Sequence, residues 1–205
     1  MTDKKDVLKP QLWMPRPVEE TMQVYADWAA TYDADVSARG YHTPARIADA
    51  VAQFADLKVP MLDYGCGTGL SGLALRAAGF TALHGTDISP EMLEQAEKRG
   101  VYDKVWLSEP GALTFGRGAY DVVLAVGVVS LGAAPADMLA PLIDKLNTGG
   151  LLAFSYNDPT LADASYIAAL DDAVAAGTVE VIFREHGPHL DDVGMKSDVI
   201  ILRRR

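Results

Sequence analysis

The fold is decided by one stretch, Met61-Leu-Asp-Tyr-Gly-Cys-Gly-Thr-Gly-Leu-Ser-Gly72, in which four glycines follow an apolar run typical of a buried strand. Glycine permits positive φ and lets the backbone approach a ligand closely. Two patterns overlap in this stretch. Gly67-x-Gly69-x-x-Gly72 fits a dinucleotide-binding loop, whereas Asp63-x-Gly65-x-Gly67-x-Gly69 places a carboxylate where it would repel a pyrophosphate. Asp63 therefore favours a ligand that carries an ammonium group.

Short apolar runs alternate with helical segments after this point. We expect strands at residues 59–64, 82–86, 105–107, 121–128 and 151–156, and helices at 70–78, 90–99, 135–146 and 161–176. Such alternation predicts a parallel sheet with helices on both faces. The last two apolar runs, 178–184 and 198–202, are joined by a loop without a helix, so we expect them to pair antiparallel.

The N-terminal segment differs in character from the alternating region. Residues 1–17 carry three prolines and predict an irregular arm. Aromatic residues spaced by three and four predict a helix over 18–35, and Thr43-Pro44 is a typical helix start. We therefore expect one structural domain, with residues 1–57 as arm and helical cover and residues 58–205 as a seven-stranded α/β core.

Composition excludes several classes of partner. The chain of 205 residues has 18 basic and 28 acidic side chains, a net charge of -10 that repels nucleic acid. Cys66 is the single cysteine and cannot form an internal disulfide. The sequence contains neither a signal-peptide core nor an apolar run of about 18 residues. We expect a cytoplasmic monomer or homodimer with no metal, no nucleic acid and no membrane partner.

Asp87 is a second acidic residue at the end of a predicted strand. It stands in His84-Gly-Thr-Asp87-Ile-Ser-Pro, roughly twenty residues after the glycines. A carboxylate at this place in an α/β sheet accepts both hydroxyl protons of an adenosine ribose. Ser89 and Pro90 already supply a helix start, so Asp87 is available to bind a ligand.

These segments together resemble a known family, the class I S-adenosylmethionine-dependent methyltransferases, and in particular the small bacterial type of methyltransferase domain 11 or 25. The resemblance extends from about Tyr25 to the C-terminus. It rests on Leu62-Asp-Tyr-Gly-Cys-Gly-Thr-Gly69, Gly85-Thr-Asp-Ile-Ser-Pro-Glu-Met-Leu93, Tyr120-Asp-Val-Val and Gly149-Gly-Leu-Leu. It implies a Rossmann-like, mainly parallel sheet, S-adenosylmethionine as cofactor, and methyl transfer to an acceptor. Modest size and acidic charge favour a small-molecule acceptor.

The resemblance also implies roles for individual positions of this sequence. Asp63 and the turn formed by Gly65, Cys66, Gly67 and Gly69 would hold the methionine part of the cofactor. Asp87 would bind the ribose hydroxyls, and the residues near adenine would be Ile88, Met92 and Glu109. Glu109 replaces the commoner Asp, and Pro110 after it lacks the backbone N–H that often meets adenine.

Two further groups complete the predicted cofactor site. Gly127 and Val128, after the fourth strand, would face the methyl-bearing sulfur. Tyr25, Trp28 and Tyr32 resemble the aromatic cover of these enzymes, and aromatic faces attract a cationic sulfonium. The three rings also share one helical face, which is what packing against a core alone would produce, so both interpretations stay open.

The sequence assigns no catalytic base. Candidates are polar residues in predicted loops near strand ends or near the N-terminal cover, namely His42, Tyr156, Asp158, His186 and His189. Two functions from other classes remain as alternatives. One is a non-catalytic protein that binds S-adenosylmethionine, and the other is an NAD-dependent oxidoreductase that uses Gly67-x-Gly69-x-x-Gly72 for pyrophosphate.

Overall fold

A seven-stranded sheet positions every other element of the protein. The computed structural model describes residues 13–205. The strands are β1 (Met61–Tyr64), β2 (Leu83–Asp87), β3 (Lys104–Leu107), β4 (Val122–Ala125), β5 (Leu151–Asn157), β6 (Val179–Leu190) and β7 (Met195–Arg204). Their order is β3-β2-β1-β4-β5-β7-β6. β7 runs antiparallel to both β5 and β6, and all other neighbouring pairs are parallel. The predicted α/β fold class is thereby confirmed, including the antiparallel C-terminal pair.

Helices cover both faces of this sheet. They are α1 (Val18–Trp28), α2 (Tyr32–Ser37), α3 (Thr43–Val51), α4 (Leu70–Ala77), α5 (Pro90–Arg99), α6 (Leu139–Asp144), α7 (Asp158–Leu161) and α8 (Ala164–Ala175). Because successive strand residues point to opposite faces, Leu62 packs in the cluster with α6 and α8, whereas Met61 packs with α3 and α4. Both faces of the central strands are therefore buried.

The start of α5 follows the sequence signals closely. The Ser89 hydroxyl accepts a hydrogen bond from the Met92 N–H at 3.3 Å, and Pro90 occupies the first turn. Gly100 ends the helix in the left-handed conformation, with φ of 66°. These caps fix the helix that runs from the end of β2 toward β3, with Met92 buried at its start.

The predicted helix over 18–35 is wrong in one respect, because the structure divides it into α1 and α2. The Thr31 N–H bonds the Trp28 carbonyl at 3.0 Å, which closes a turn between the two helices. The break redirects the chain so that Asp33 reaches Thr68, whose hydroxyl donates to its carboxylate at 2.6 Å. A tertiary hydrogen bond thus overrides the helical periodicity of the segment.

β6 is longer than the sequence indicates. The sequence predicts a strand over 178–184 and then a loop, whereas β6 continues to Leu190. A register shift after Pro188 accommodates a residue that cannot donate to the ladder, and Arg46 of α3 donates to its carbonyl at 3.0 Å. His189 and Leu190 are therefore the last two residues of β6, beyond residue 184, where the predicted strand ends.

The predicted N-terminal arm, residues 1–17, lies mostly outside the described residues. Ile47 and Val51 of α3 are fully buried in the core cluster on one face of the sheet. α3 therefore packs as part of the helical layer, although it precedes residue 57. The division of the domain at residue 57 stays a prediction.

We expect Gly65→Ala to destabilise the fold far more than Gly67→Ala. Gly65 has φ of 73°, and a Cβ there would lie 2.3 Å from Val128 Cγ2, so strain and overlap combine. A Cβ on Gly67, with φ of 53°, would meet no atom of residues 13–205 within 4 Å. Urea denaturation should show a loss of about 2–5 kcal/mol for the first variant and about 1–2 kcal/mol for the second. Equal losses would contradict this packing around the turn.

Candidate functional site

A large cavity opens at the carboxyl ends of the central strands. Strand order reverses between β1 and β4, and in open α/β sheets ligands bind at such a switch point. The cavity has a volume of about 720 Å³. Its floor includes Gly65 after β1 and Gly127 after β4, and its roof includes α1 and α2. The fold therefore encloses a site between the sheet and the N-terminal helices.

The glycine turn after β1 is fixed to the end of β2 by three hydrogen bonds. The N–H groups of Gly65 and Cys66 donate to the Thr86 carbonyl at 2.8 and 3.0 Å. The Gly67 N–H donates to Asp87 Oδ2 at 2.8 Å. These bonds hold the backbone of the glycine turn against the carboxylate of Asp87, the residue predicted to bind the ribose hydroxyls.

Among the described residues, backbone groups alone orient the Asp87 carboxylate. Its Oδ1 accepts from the Ser89 N–H at 2.9 Å, and its Oδ2 accepts from Gly67. An ionised carboxylate offers about four acceptor positions, so positions remain for ligand hydroxyls. Burial raises the pKa of Asp87, while the N–H groups of Ser89, Gly67 and Ile88 lower it. The side chain lines the cavity as a fixed acceptor.

Asp63 lies behind the turn and does not line the cavity. Its Oδ2 accepts from the hydroxyls of Ser71 and Tyr102, the latter at 2.6 Å. Its Oδ1 is buried with no hydrogen-bond partner among residues 13–205. Burial raises the pKa of Asp63 to about 6, the two hydroxyls lower it, and the charge of Asp87 raises it. Its role as a direct cofactor contact stays a prediction.

The structure brings most of the predicted cofactor residues to one cavity. Those that line it are Tyr25, Trp28, Tyr32, Gly65, Gly67, Asp87, Ile88, Met92, Gly127 and Val128. Four others do not. Cys66 is buried against Leu93 behind the turn, Gly69 is the left-handed cap of α4, Glu109 is exposed, and Asp63 is bonded as described above.

Several lining residues were missed from the sequence. Beside Glu109, Ser108 reaches the cavity, and its hydroxyl is buried without a partner among the described residues. Tyr41 also lines the cavity, and its hydroxyl lies 3.8 Å from the position of a Cβ on Gly127. Tyr41 follows α2 in an irregular segment where no periodic pattern marks it. The motif spacing instead selects the next residue, Glu109, which is exposed and does not line the cavity, so its role stays a prediction.

The aromatic cover forms a compact cluster over the cavity. The rings of Tyr25 and Trp28 stack at 6.4 Å, and those of Trp28 and Tyr32 meet edge to face at 4.6 Å. Trp28 Nε1 donates to Asp35 Oδ2 at 2.8 Å, which holds the indole in place. Burial raises the pKa of both tyrosines, so the cover presents neutral rings. Tyr25, Trp28 and Tyr32 thus pack against one another and also line the cavity.

Asp33 joins this cover to the glycine turn. Its carboxylate accepts from the Thr68 hydroxyl at 2.6 Å and forms an ion pair with Arg99 of α5. Arg99 in turn donates from Nε to the Thr68 carbonyl at 2.8 Å. One carboxylate therefore connects α2, the turn after β1 and the C-terminal end of α5.

The end of the cavity away from Asp87 is largely apolar. Its wall consists of small and hydrophobic residues, namely Leu131, Gly132, Ala133, Ala134, Pro135, Ala136, Met138 and Leu190. Polar residues line the same end as well, namely Ser130, Asn157, Asp163, Ser165, Tyr166 and His189. The arrangement provides a polar region beside the glycine turn and an apolar region beyond it.

One of the candidate bases, His189, lines the cavity. Burial lowers the pKa of His189 to about 4, so the ring is neutral at physiological pH. His42 instead pairs with Asp191 at 2.7 Å, and His186 pairs with Asp198 at 2.8 Å. Asp158 and Tyr156 do not line the cavity either, so neither is assigned as a proton acceptor.

The described part of the chain lacks both a cluster of metal-ligating side chains and a membrane-spanning helix. Residues 13–205 contain no group of three or more His, Cys, Asp or Glu side chains arranged to hold a metal ion. In the same range, no helix combines the length and the apolar character needed to cross a bilayer.

The arginines at the C-terminus form ion pairs with acidic side chains. Arg204 pairs with Asp144 at 3.1 Å, and Arg205 pairs with Glu180 at 3.1 Å.

Comparison with known proteins agrees with this geometry. The model of the methyltransferase domain family matches residues 62–154. Methyltransferase-like protein 27 of Homo sapiens is 39% identical over 140 residues, covering 65% of this chain and 56% of that protein. The ribosomal protein L11 methyltransferase of Methylococcus capsulatus is 32% identical over 107 residues, covering 49% and 34%. This chain thus spans about half, or less, of the length of these relatives.

A solved structure shares the fold over nearly the whole chain. The magnesium protoporphyrin IX methyltransferase of Synechocystis PCC 6803, solved with bound S-adenosylmethionine, has a TM-score of 0.65 at 17% identity, covering 90% of this chain and 97% of that one. This likeness confirms the predicted fold. The match of the family model confirms the predicted methyltransferase family for residues 62–154, of the class I S-adenosylmethionine-dependent type.

We expect Asp63→Asn to stabilise the ligand-free protein at neutral pH. The folded-state pKa of about 6 lies above the ordinary value, so the stability that the neutral carboxyl provides is present below about pH 4 and is lost as pH rises through 6. Asparagine cannot ionise, and its oxygen can still accept from Ser71 and Tyr102. Thermal unfolding at pH 7.5 should show a gain of about 1–3 kcal/mol that disappears at pH 4.

The matched control is Asp121→Asn, which removes an exposed carboxylate. It should change stability by less than about 0.5 kcal/mol at either pH. A destabilised Asp63→Asn protein at pH 7.5 would mean that Asp63 is held ionised by interactions that offset its burial.

Proposed function

We propose that this protein transfers the methyl group of S-adenosylmethionine to a small-molecule acceptor. The observation that carries the proposal is the Asp87 carboxylate, fixed by the N–H groups of Gly67 and Ser89 and facing a cavity at the switch point of the sheet. A carboxylate so placed fits the two hydroxyls of an adenosine ribose. The apolar region of the same cavity supplies the volume for a second molecule.

The residues present fit the cofactor in two further respects. At Gly67 a Cβ would project into open space, so the backbone there is accessible to a ligand that contacts it directly. The Ser108 hydroxyl, which has no hydrogen-bond partner within residues 13–205, lies next to the residue predicted to meet adenine and is suited to a heterocyclic nitrogen. We assign ribose binding to Asp87 and adenine contacts to Ile88, Met92 and Ser108.

Electrostatics favour a cationic cofactor over a dinucleotide. Asp87 lines the cavity and Asp63 lies behind its turn, which disfavours a pyrophosphate and favours a sulfonium with an ammonium group. Two cations lie near this region: Arg99 of α5 is bonded to Asp33 and to the Thr68 carbonyl, and Arg16 lines the cavity. The aromatic cover adds π faces that attract cations.

The chain contributes position and exclusion of water to methyl transfer. Bound S-adenosylmethionine supplies a methyl group on a sulfonium and a neutral leaving group. The glycine turn and Asp87 would fix one end of that molecule, and Gly127 and Val128 after β4 would border its reactive part. The roof of α1 and α2 would exclude water from the transfer.

A small-molecule acceptor is supported by the enclosure of the site. The apolar region lies beneath the cover and is lined by side chains rather than open to a flat surface. Relatives differ in this respect, since one is named for a ribosomal protein and one solved structure for a porphyrin. The acidic net charge of -10 argues against a nucleic acid acceptor.

Calorimetric titration with S-adenosylmethionine, S-adenosylhomocysteine and NAD tests the proposal. We expect the first two to bind and NAD not to bind, because a pyrophosphate at the glycine turn would meet the Asp87 carboxylate. An acceptor screen that follows release of S-adenosylhomocysteine then tests catalysis. Binding of NAD alone would overturn the proposal, and cofactor binding without any turnover would identify a non-catalytic S-adenosylmethionine-binding protein.

Asp87→Ala should weaken S-adenosylhomocysteine binding by about 1.5–3 kcal/mol, since hydrogen bonds to a charged group have this value. The matched control is Asp103→Ala. Asp103 also accepts a backbone N–H, that of Leu83 at 2.9 Å, but it does so at the opposite end of β2. The control should leave the affinity unchanged. Unchanged affinity in a folded Asp87→Ala protein would contradict the assignment of the ribose contact.

A further inference from the structure

His189 is a buried side chain at the apolar end of the cavity, and its outer nitrogen has no partner in the described part of the chain. It is 8% exposed and lines the cavity together with Leu190. Its Nδ1 lies 2.7 Å from the Thr43 hydroxyl. Its Nε2 has no hydrogen-bond partner among residues 13–205 and is not among the fully enclosed polar atoms of that range. The free nitrogen of the ring therefore faces the cavity.

The hydrogen bonds behind His189 determine which nitrogen carries the proton. Arg46 can only donate, and it donates to Ser197 Oγ at 3.1 Å. The Ser197 hydroxyl lies 3.0 Å from that of Thr43. Ser197 is fully buried, and the acceptor within reach of its proton is Thr43, so Ser197 donates to Thr43. Thr43 then donates to Nδ1 of His189, and the ring proton resides on Nε2.

The ring is also held neutral. Burial lowers the pKa of His189 to about 4, with a further lowering by Arg46 and an opposing effect of Asp158. Tyr41 packs edge-on against the imidazole at 5.3 Å, and burial raises the pKa of its hydroxyl, so it too is neutral. His189 consequently presents a neutral N–H donor to the cavity and is not a proton acceptor there.

Asn157 provides a second donor at the same end of the sheet. Its Oδ1 accepts from the backbone N–H of Thr160 at 3.1 Å and from the Thr160 hydroxyl at 2.7 Å. This fixes the amide orientation, and the side-chain hydrogen bonds of Asn157 to residues 13–205 all fall on Oδ1 and not on Nδ2. Asn157 lines the cavity and pairs with Ser197 in the β5–β7 ladder, next to the chain of bonds that orients His189.

We propose that His189 Nε2–H and Asn157 Nδ2–H bind an oxygen atom of the methyl acceptor, so that the preferred acceptors are small apolar molecules with a carbonyl or carboxylate oxygen. The inference rests on the proposed function and specifies the acceptor class for the same cavity. Two N–H donors suit an oxygen lone pair and cannot accept from an ammonium group. The surrounding wall from Leu131 to Ala136 suits the apolar remainder of such a molecule.

Long-range ¹H–¹⁵N NMR of the histidine rings tests the orientation of the donor directly. The chain has four histidines, and His189→Gln identifies the signal of interest. We expect a neutral ring with the proton on Nε2, unchanged from pH 5.5 to pH 8. A proton on Nδ1, or a ring that titrates near its ordinary pKa of about 6.5, would overturn the inference.

Ligand titration tests the acceptor class. Protein saturated with S-adenosylhomocysteine is titrated with phenylacetate, phenylacetamide and phenethylamine, which share a ring and differ in the polar group. We expect the carboxylate and the amide to bind and the amine not to bind. His189→Phe should weaken the first two about tenfold, and His189→Gln, which keeps an acceptor for Thr43 and a donor for the ligand, should restore most of the loss.

The control is His186→Phe, which changes an exposed histidine outside the cavity and should leave all three affinities unaltered. Absence of binding by both oxygen-bearing probes, preference for the amine, or indifference to His189→Phe would overturn the inference. S-adenosylhomocysteine affinity separates the two proposals. If the wild-type protein fails to bind it, the proposed function fails, whereas normal binding with failed probes refutes only the acceptor class.

Discussion

The attachment of the glycine turn to the end of β2 is the constraint on which the rest of the site depends. Three successive N–H groups, those of Gly65, Cys66 and Gly67, donate to Thr86 and Asp87. This places bare backbone and an oriented carboxylate side by side on the wall of the cavity. Gly65 is needed because a Cβ there would overlap Val128, so the turn also packs directly on the segment that follows β4.

The enclosure of the site follows from the same turn. Thr68, within it, is bonded to Asp33 of α2 and to Arg99 of α5, so the N-terminal cover is attached where the cofactor is expected to bind. The far end of the cavity is organised separately, by the extension of β6 that carries His189 and by the Thr43–Ser197 bonds behind it. Cofactor and acceptor are thus assigned to regions built from different parts of the sheet.

Much of the fold was predictable from the sequence, because strand and helix signals are local. Ser89, Pro90 and Gly100 mark α5 without any tertiary information. The break between α1 and α2 was not predictable, since it depends on a contact between Asp33 and Thr68. The same holds for β6, whose Gly187 and Pro188 indicate a loop unless the bulge and the contact with Arg46 are known. Motif spacing predicted both Asp87, which lines the cavity, and Glu109, which does not, whereas no periodic pattern marked Ser108 or Tyr41.

A crystal structure of the complex with S-adenosylhomocysteine is the most direct test of the central claim, that the cavity between β1 and β4 is a cofactor site organised by Asp87. The account predicts both ribose hydroxyls within about 2.5–3.0 Å of the Asp87 carboxylate oxygens, with the methionine end along the Gly65–Gly67 backbone. A ligand bound elsewhere, or one that lies in the cavity with its ribose away from Asp87, would contradict it.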